Sequence, residues 1–268
     1  MPLRVSLERP REGVAVVTLD HPEIRNHGSW DALDQIADAL QEAREGGARV
    51  SVLASAVPGH WIEHAWLTDL HHMLTGQPTT GSGAGWFRTL SELSRKPVVS
   101  IAAISGDCSG GGAELGWACD LRIAEEQATF GQPEVQIGVA TGVGGTCRVA
   151  RLIGRTATAE LVLDGTPFTA QRVHALGGLN RIVPTGQALT ASLAWAARLA
   201  ERPPEALATL KQMLIDSDDR HLSDALANEQ QLFQQLVGRP EVKARIRAVQ
   251  DRFDAGETLR EVYGDPRD

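Results

Sequence analysis

The chain has 268 residues, enough for one large domain or two small ones, and at 42% hydrophobic residues it can bury a core. A formal net charge of -8 argues against a nucleic-acid partner, and no apolar run approaches the ~20 residues of a membrane-spanning helix. Cys108, Cys119 and Cys147 are an odd number without framework spacing, and no signal-peptide pattern leads the chain, which reads as reduced thiols in a cytoplasmic protein.

In chain order, Val14–Leu19 is a β-rich apolar run and predicts a strand, followed by a turn at Asp20-His21-Pro22. Ser29 is placed to cap a helix with Asp31 in its first turn; Leu33, Ile36, Ala37 and Leu40 line one face, and Gly46-Gly47 end it. Val50–Ala56 is a second strand, and strand, helix, strand implies an α/β fold with crossovers. Thr75–Gly85, rich in Gly, Thr and Ser, reads as a mobile loop of the kind that covers ligands. A helix over Trp86–Leu93 leads to a strand over Pro97–Ile104. Ser105–Gly112 reads as a loop ending in three glycines, which feeds a helix over Ala113–Ala118 with Glu114 in its first turn. Glu134 closes a second turn, Phe130-Gly131-Gln132-Pro133-Glu134. Helices over Thr146–Ile153, Thr156–Leu163 and Thr169–Leu176 follow, with Thr169 as an N-cap, Gly177 as a stop, and a short strand over Leu179–Val183. From Thr185 the pattern is helical only. Leu189, Leu193, Ala197 and Ala200 recur at helical spacing, Pro203-Pro204 starts a new helix, and Leu222–Val237 and Pro240–Asp254 complete the tail. The expected division is a core over residues 1–185 and a helical region over 186–268.

The chemistry centres on the glycine run. Glycines at a strand-to-helix turn let the backbone approach a ligand, and the helix start offers unpaired N–H groups to an oxygen that becomes negative. Glu114 and Glu134 beside such donors would make an acid/base pair. Two rival motifs compete. His60-Trp61-Ile62-Glu63-His64 matches H-x-x-E-H, which on a helix would set His60 and His64 on one face as zinc ligands. Gly106-Asp107-Cys108-Ser109-Gly110 fits G-x-C-x-G, a cysteine nucleophile elbow for which Asp164 with His174 or His221 would have to be drafted. The plain readings are pocket and surface histidines, a small buried cysteine, and glycines that serve tight packing.

The stretch SGGGAELGWACDLRIAEEQATFGQPEVQIGVATGVGGTCRVARLIG resembles the core of the crotonase superfamily, the enoyl-CoA hydratases and isomerases. The likeness extends through LVLDGTPFTAQRVHALGGLNRIVP and back to GVAVVTLDHPEIRNHGSWDAL. It implies a ClpP-like spiral of ββα units whose C-terminal helices serve trimerisation and cover coenzyme A. It also implies catalysis by Glu114 and Glu134, the first mainly activating water and the second delivering the Cα proton. An oxyanion hole would come from the N–H groups of Gly111 and Glu63, and substrate contacts from Arg25, His60, Trp61, His64, Trp66, Gly110, Pro133 and Gly142. The chain departs from the family where Glu63 stands for a small residue and His64-Ala65-Trp66 replaces Gly-Ala-Asp, a change that reshapes the acyl pocket. The resemblance calls for no metal or redox cofactor, only coenzyme A as part of an acyl-CoA thioester, and for a homotrimer or hexamer with no nucleic-acid or membrane partner. The expected reaction is hydration of a trans-2-enoyl-CoA. An isomerase, a thioester or β-diketone hydrolase, and an acyl-CoA binder without turnover are the alternatives.

Overall fold

A computed structural model describes residues 3–265 of the chain. It opens with a hairpin, β1 (Val5–Arg11) and β2 (Val14–Leu19), followed by α1 (Trp30–Glu45), β3 (Val50–Ser55), β4 (Gly59–His60), α2 (Leu67–Thr75), α3 (Ala84–Ser94), β5 (Val99–Ile104), β6 (Gly106–Ser109) and α4 (Gly110–Ala118). Next come β7 (Leu121–Glu125), β8 (Thr129–Gly131), α5 (Cys147–Asp164), β9 (Phe168–Thr169), α6 (Ala170–Ala175), β10 (Arg181–Val183) and α7 (Ala188–Ala200). One sheet has the order β1-β2-β3-β5-β7-β10 and a smaller one β4-β6-β8-β9. The long strands β3, β5 and β7 lie in the first sheet; each is followed by a short strand of the second, β4, β6 or β8, and then by helix. This is the expected ββα spiral. It sets the ends of three successive repeats, and hence their loops, side by side.

The main sheet is buried on both faces, and its side chains sort with the strand period of two. Val17, Leu19, Leu53, Ala102 and Ile104 face one core with Leu33, Ile36 and Leu40 of α1, Leu90 and Leu93 of α3, and Leu115 of α4. Val14, Val16, Val50, Val52, Ile101 and Ala103 face the other. The register accounts for this, since Val16 pairs with Val52 and Val52 with Ile101, so one face continues across three strands. Each large side chain so buried contributes at most about 1.5–3 kcal/mol.

Several expectations are corrected. The buried face of α7 is Ala188, Ser192, Ala196 and Ala200, while Leu189 is exposed. Small side chains let this helix lie close on the valine-rich sheet face, an effect that a search for large apolar residues misses. Gly106–Ser109, expected as loop, is β6, and the three glycines are the first turn of α4 rather than the turn before it. The pair of helices expected around Gly154 is present, since the run α5 is broken at that residue, whose φ of 77° and ψ of 158° are not helical. Ser29 does precede α1, but its hydroxyl donates to Asp31 Oδ1 at 2.6 Å and caps nothing. The cap comes from Asp69 of α2, whose Oδ2 accepts the Trp30 N–H at 2.8 Å.

The Thr75–Gly85 segment is tied down in the same way. Asp69 accepts the Thr80 N–H at 2.7 Å and the Thr80 hydroxyl at 2.6 Å, and Thr80 Oγ1 accepts the Asp31 N–H at 3.2 Å. A methyl group on Gly85 would lie 2.5 Å from the Asp34 nitrogen. The segment is therefore packed onto the start of α1.

The chain divides into two compact units at Leu207/Ala208. The second unit holds the end of α8 (Pro204–Asp218), α9 (Leu222–Val237), α10 (Pro240–Asp254) and α11 (Leu259–Tyr263). Within it Asn228 Nδ2 donates to Asp216 Oδ2 at 3.0 Å, and Thr258 and Glu261 form a capping box at the start of α11. No described helix is long and apolar enough to cross a membrane.

Asp69 has no exposed surface and satisfies donors on two other segments. Asp69→Ala leaves those donors buried without a partner and is expected to cost about 2–4 kcal/mol in chemical denaturation, with Asp69→Asn losing less.

Candidate active site

The start of α4 is the centre of the site. With no side chain at Gly112, the Ile62 carbonyl reaches the helix; a methyl group there would sit 1.8 Å from that oxygen. The same device works at Gly111, where a methyl group would lie 2.8 Å from the Trp86 ring, and at Gly110, where it would lie 2.6 Å from His64 Nε2. The 61–66 segment is also bonded to the β6–α4 junction, since Ser109 donates its N–H to the Glu63 carbonyl at 2.9 Å and its hydroxyl at 2.8 Å. Gly111 N–H belongs to the first helical turn, which has no intrahelical acceptor and sits at the positive end of the helix.

Glu114 follows one turn into α4 and is buried. Its Oε1 accepts the Val143 N–H at 3.0 Å and the Gly145 N–H at 2.6 Å. Burial pushes its carboxyl above the ordinary value of 4.5, against the pull of these amides and of His64. Glu134 opens a 3₁₀ turn, Glu134–Ile137, with Pro133 directly before it. It too is raised, first by burial and then by the negative charge of Glu114, while its own backbone N–H and His64 oppose the shift. The structure thus brings the two carboxyl groups within electrostatic reach of each other and of one imidazole.

Gln132, fully buried, positions Glu134. With its amide oriented to satisfy both neighbours, it donates to Glu134 Oε1 at 3.0 Å and accepts from Trp117 Nε1 at 3.2 Å. Sequence reasoning missed Gln132 and Trp117, and also Val143 and Gly145 as the partners of Glu114. Gly142, which the resemblance singles out, is exposed, and the amides one and three residues later make the contact. The available signal was the glycine-rich turn before a helix, which offers free N–H groups without saying which are used.

The remaining expected residues fall into two groups. Glu63 turns its carboxylate into a cluster: His60 Nδ1 is 2.7 Å from Oε2, at an angle short of a hydrogen bond, Arg25 Nε is 3.8 Å from the same oxygen, and His27 Nε2 is 3.8 Å from Oε1. His27, not anticipated from sequence, is held below its ordinary value chiefly by burial. Trp66 precedes α2 and donates its N–H to Gly28. Trp61 is in the core with no exposed surface; its indole N–H bonds the Leu53 carbonyl at 3.3 Å and its ring backs Gly116.

Both rival motifs are overturned. His60 lies in β4 and residues 61–66 are irregular, so no helix sets His60 and His64 on one face. No cluster able to hold a metal ion occurs among the described residues. Cys108 is in β6 rather than at an elbow and is 1% exposed; burial, then the charges of Cys119 and Asp107, pushes its thiol well up, away from the thiolate a nucleophile needs.

A ββα spiral with one buried glutamate in the first turns of a glycine-led helix and a second at the head of a 3₁₀ turn defines a crotonase-fold site. The family profile described as enoyl-CoA hydratase/isomerase matches residues 9–255. The 2,3-dehydroadipyl-CoA hydratase of Escherichia coli is 32% identical over 231 residues, covering 85% of this chain and 88% of that protein. The short-chain-enoyl-CoA hydratase of Clostridium acetobutylicum is 32% identical over 227 residues, covering 83% and 86%. Among solved structures, an enoyl-CoA hydratase of Geobacillus kaustophilus superposes with a TM-score of 0.84 at 28% identity, covering 93% of this chain and 96% of that one. The chain belongs to the enoyl-CoA hydratase/isomerase family.

Because folding raises both carboxyls above 4.5, the folded state binds more protons than the unfolded one as pH rises past that value. Their contribution to stability is therefore greatest at low pH and is lost as pH climbs through the raised values. Glu134→Gln removes the Glu134 share of that dependence, so its stability relative to wild type should increase from about pH 4 to about pH 7 in urea titrations.

Proposed function

We propose that the chain is an enoyl-CoA hydratase, adding water across the 2,3-double bond of a trans-2-enoyl-CoA to give a 3-hydroxyacyl-CoA. The observation that carries this reading is the convergence of Glu114 and Glu134 in one buried place, with one Glu114 oxygen occupied by the amides of Val143 and Gly145. Fixing Oε1 leaves the other oxygen to take a proton from water as its oxygen attacks Cβ. Glu134, kept protonated more readily by burial and by its neighbour's charge, delivers a proton to Cα. The thioester oxygen lies between the N–H groups of Gly111 and Glu63, each worth roughly 3–4 kcal/mol as the enolate forms. Two features support this: Ser109 fastens the Glu63 carbonyl to the head of α4, and the Glu63 carboxylate is drawn into the cluster with His60, His27 and Arg25. The names of relatives at about a third identity point the same way.

The reaction needs no cofactor beyond the coenzyme A of its substrate, and the three free cysteines suit a cytoplasmic protein. The reading brings with it a homotrimer or a pair of trimers; light scattering that gives a monomer mass would remove that part.

The deciding experiment follows crotonyl-CoA by loss of its conjugated-enone absorbance. Hydration predicts a loss that Glu114→Gln and Glu134→Gln each slow about 10²–10⁴-fold in kcat, with smaller changes in KM. Double-bond migration without water uptake, release of free thiol, or binding without turnover at every chain length would replace the reading by an isomerase, a hydrolase or a binding protein respectively.

A further inference from the structure

Ser109 stands immediately before α4, where a serine ordinarily caps a helix by accepting the N–H of the second or third helical residue on its hydroxyl oxygen. Here those residues are Gly111 and Gly112, and the Ser109 side chain makes no capping hydrogen bond. Its hydroxyl donates to the Glu63 carbonyl at 2.8 Å instead. The direction of that bond is forced, because a carbonyl oxygen only accepts. The Ser109 N–H donates to the same oxygen at 2.9 Å. Two donors of one residue meeting on one acceptor hold χ1 in a single staggered well, with Oγ turned towards residue 63 and off the helix it precedes. A third contact closes the position. Ser109 pairs with Gly131 across β6 and β8, and a methyl group on Gly131 would lie 3.2 Å from Ser109 Cβ. Ser109 therefore sits where three segments meet: the one that carries Glu63, the helix that carries Gly111 and Glu114, and the strand that leads through Gln132 and Pro133 to Glu134.

We propose that Ser109 is a positioning residue for the oxyanion hole: held off α4 by the Glu63 carbonyl, its hydroxyl leaves the Gly111 N–H open to the thioester oxygen while clamping the residue that supplies the other donor. This deepens the hydratase reading and rests on it for the place of that oxygen. Its physical content is a competition. A Ser109 Oγ rotated onto the helix would take the N–H of Gly111 or Gly112 and would release one of the two bonds on the Glu63 carbonyl. That carbonyl and the donor N–H belong to the same residue, so only two soft backbone dihedrals separate the clamped atom from the one that must aim. Both losses fall on the enolate oxygen, and neither touches Glu114 or Glu134.

The test follows crotonyl-CoA hydration beside the spectrum of bound cinnamoyl-CoA, whose absorbance moves to longer wavelength when hydrogen bonds polarise the thioester carbonyl and which reports the donors without turnover. Wild type should show the shift. Ser109→Ala should lower kcat roughly tenfold, leave KM within about threefold, and cut the shift by about half. Ser109→Asn, whose side-chain oxygen caps a helix well, should hydrate more slowly than Ser109→Ala and shift cinnamoyl-CoA less, while unfolding in urea at the same concentration or a higher one. A serine that only supported the fold would not separate activity from stability in this way. Ser109→Thr, which keeps the hydroxyl, should recover most of what Ser109→Ala loses. If Ser109→Ala folds poorly, Ser109→Cys, close in size and a weak donor, should show the same losses. Ser109→Ala with kcat and shift unchanged overturns the proposal, as does Ser109→Asn outperforming Ser109→Ala. A wild-type protein that leaves the cinnamoyl-CoA spectrum unmoved also overturns it, since no donor is then being kept open. A shift that depends on Ser109 in a protein unable to hydrate any enoyl-CoA would support the positioning role while overturning the hydratase reading alone.

Discussion

The site depends on side chains that are absent. At Gly106, Gly110, Gly111 and Gly112 a single added methyl group would meet, respectively, the Gly59 backbone, the His64 ring, the Trp86 ring and the Ile62 carbonyl, all closer than 3.0 Å. The 59–66 segment can therefore lie directly on the β6–α4 junction, and the first turn of α4 remains open to what that segment brings. A helix start with bulky residues would hold the two segments several ångströms apart. The separation between the candidate oxyanion donors would then be too wide for one oxygen to bridge.

The carboxyl pair is held mostly by neutral groups. Glu114 is gripped by main-chain amides and Glu134 by the Gln132 amide, which is itself anchored to Trp117. Neutral donors fix geometry without forcing ionisation as an arginine would. The basic side chains nearby, Arg25, His27 and His60, are gathered instead around Glu63. The half-buried acid Glu63 is thus matched by basic partners drawn from its own segment and from the 25–27 turn.

What could be read from the sequence is what is encoded locally. The strands over Val14–Leu19 and Val50–Ser55, the face of α1 at Leu33, Ile36, Ala37 and Leu40, and the N-cap at Thr169, which accepts the Arg172 N–H at 3.2 Å, follow from period and capping chemistry. The motif residues Glu114 and Glu134 stood out because a glycine run and a turn mark them. What was missed is non-local. The cap of α1 comes from Asp69, 39 residues away, and displaces the adjacent serine that propensity favours. The face of α7 follows the demand of a flat valine surface for alanine, which no periodicity of large residues announces. The H-x-x-E-H spacing has meaning only on a helix, and Pro58-Gly59 with the β4 pairing to β6 rules helix out there. Gln132 matters only because β8 carries it between Trp117 and Glu134, a coincidence in space with no trace in the sequence.

The Asp69–Thr80 knot has a consequence beyond holding α1. The segment it fastens leads straight into α3, and Gly81, Gly83 and Gly85 lie against Trp30 and Asp34 so closely that the segment can hardly slide. Trp86 follows at once, and its ring tip is wedged between Gly28 and Gly111. The indole wall against Gly111 is therefore set from a loop packed on the start of α1. Tolerance for longer or branched acyl groups would be tuned by residues that never touch them, by loosening a tether so that an indole can swing aside.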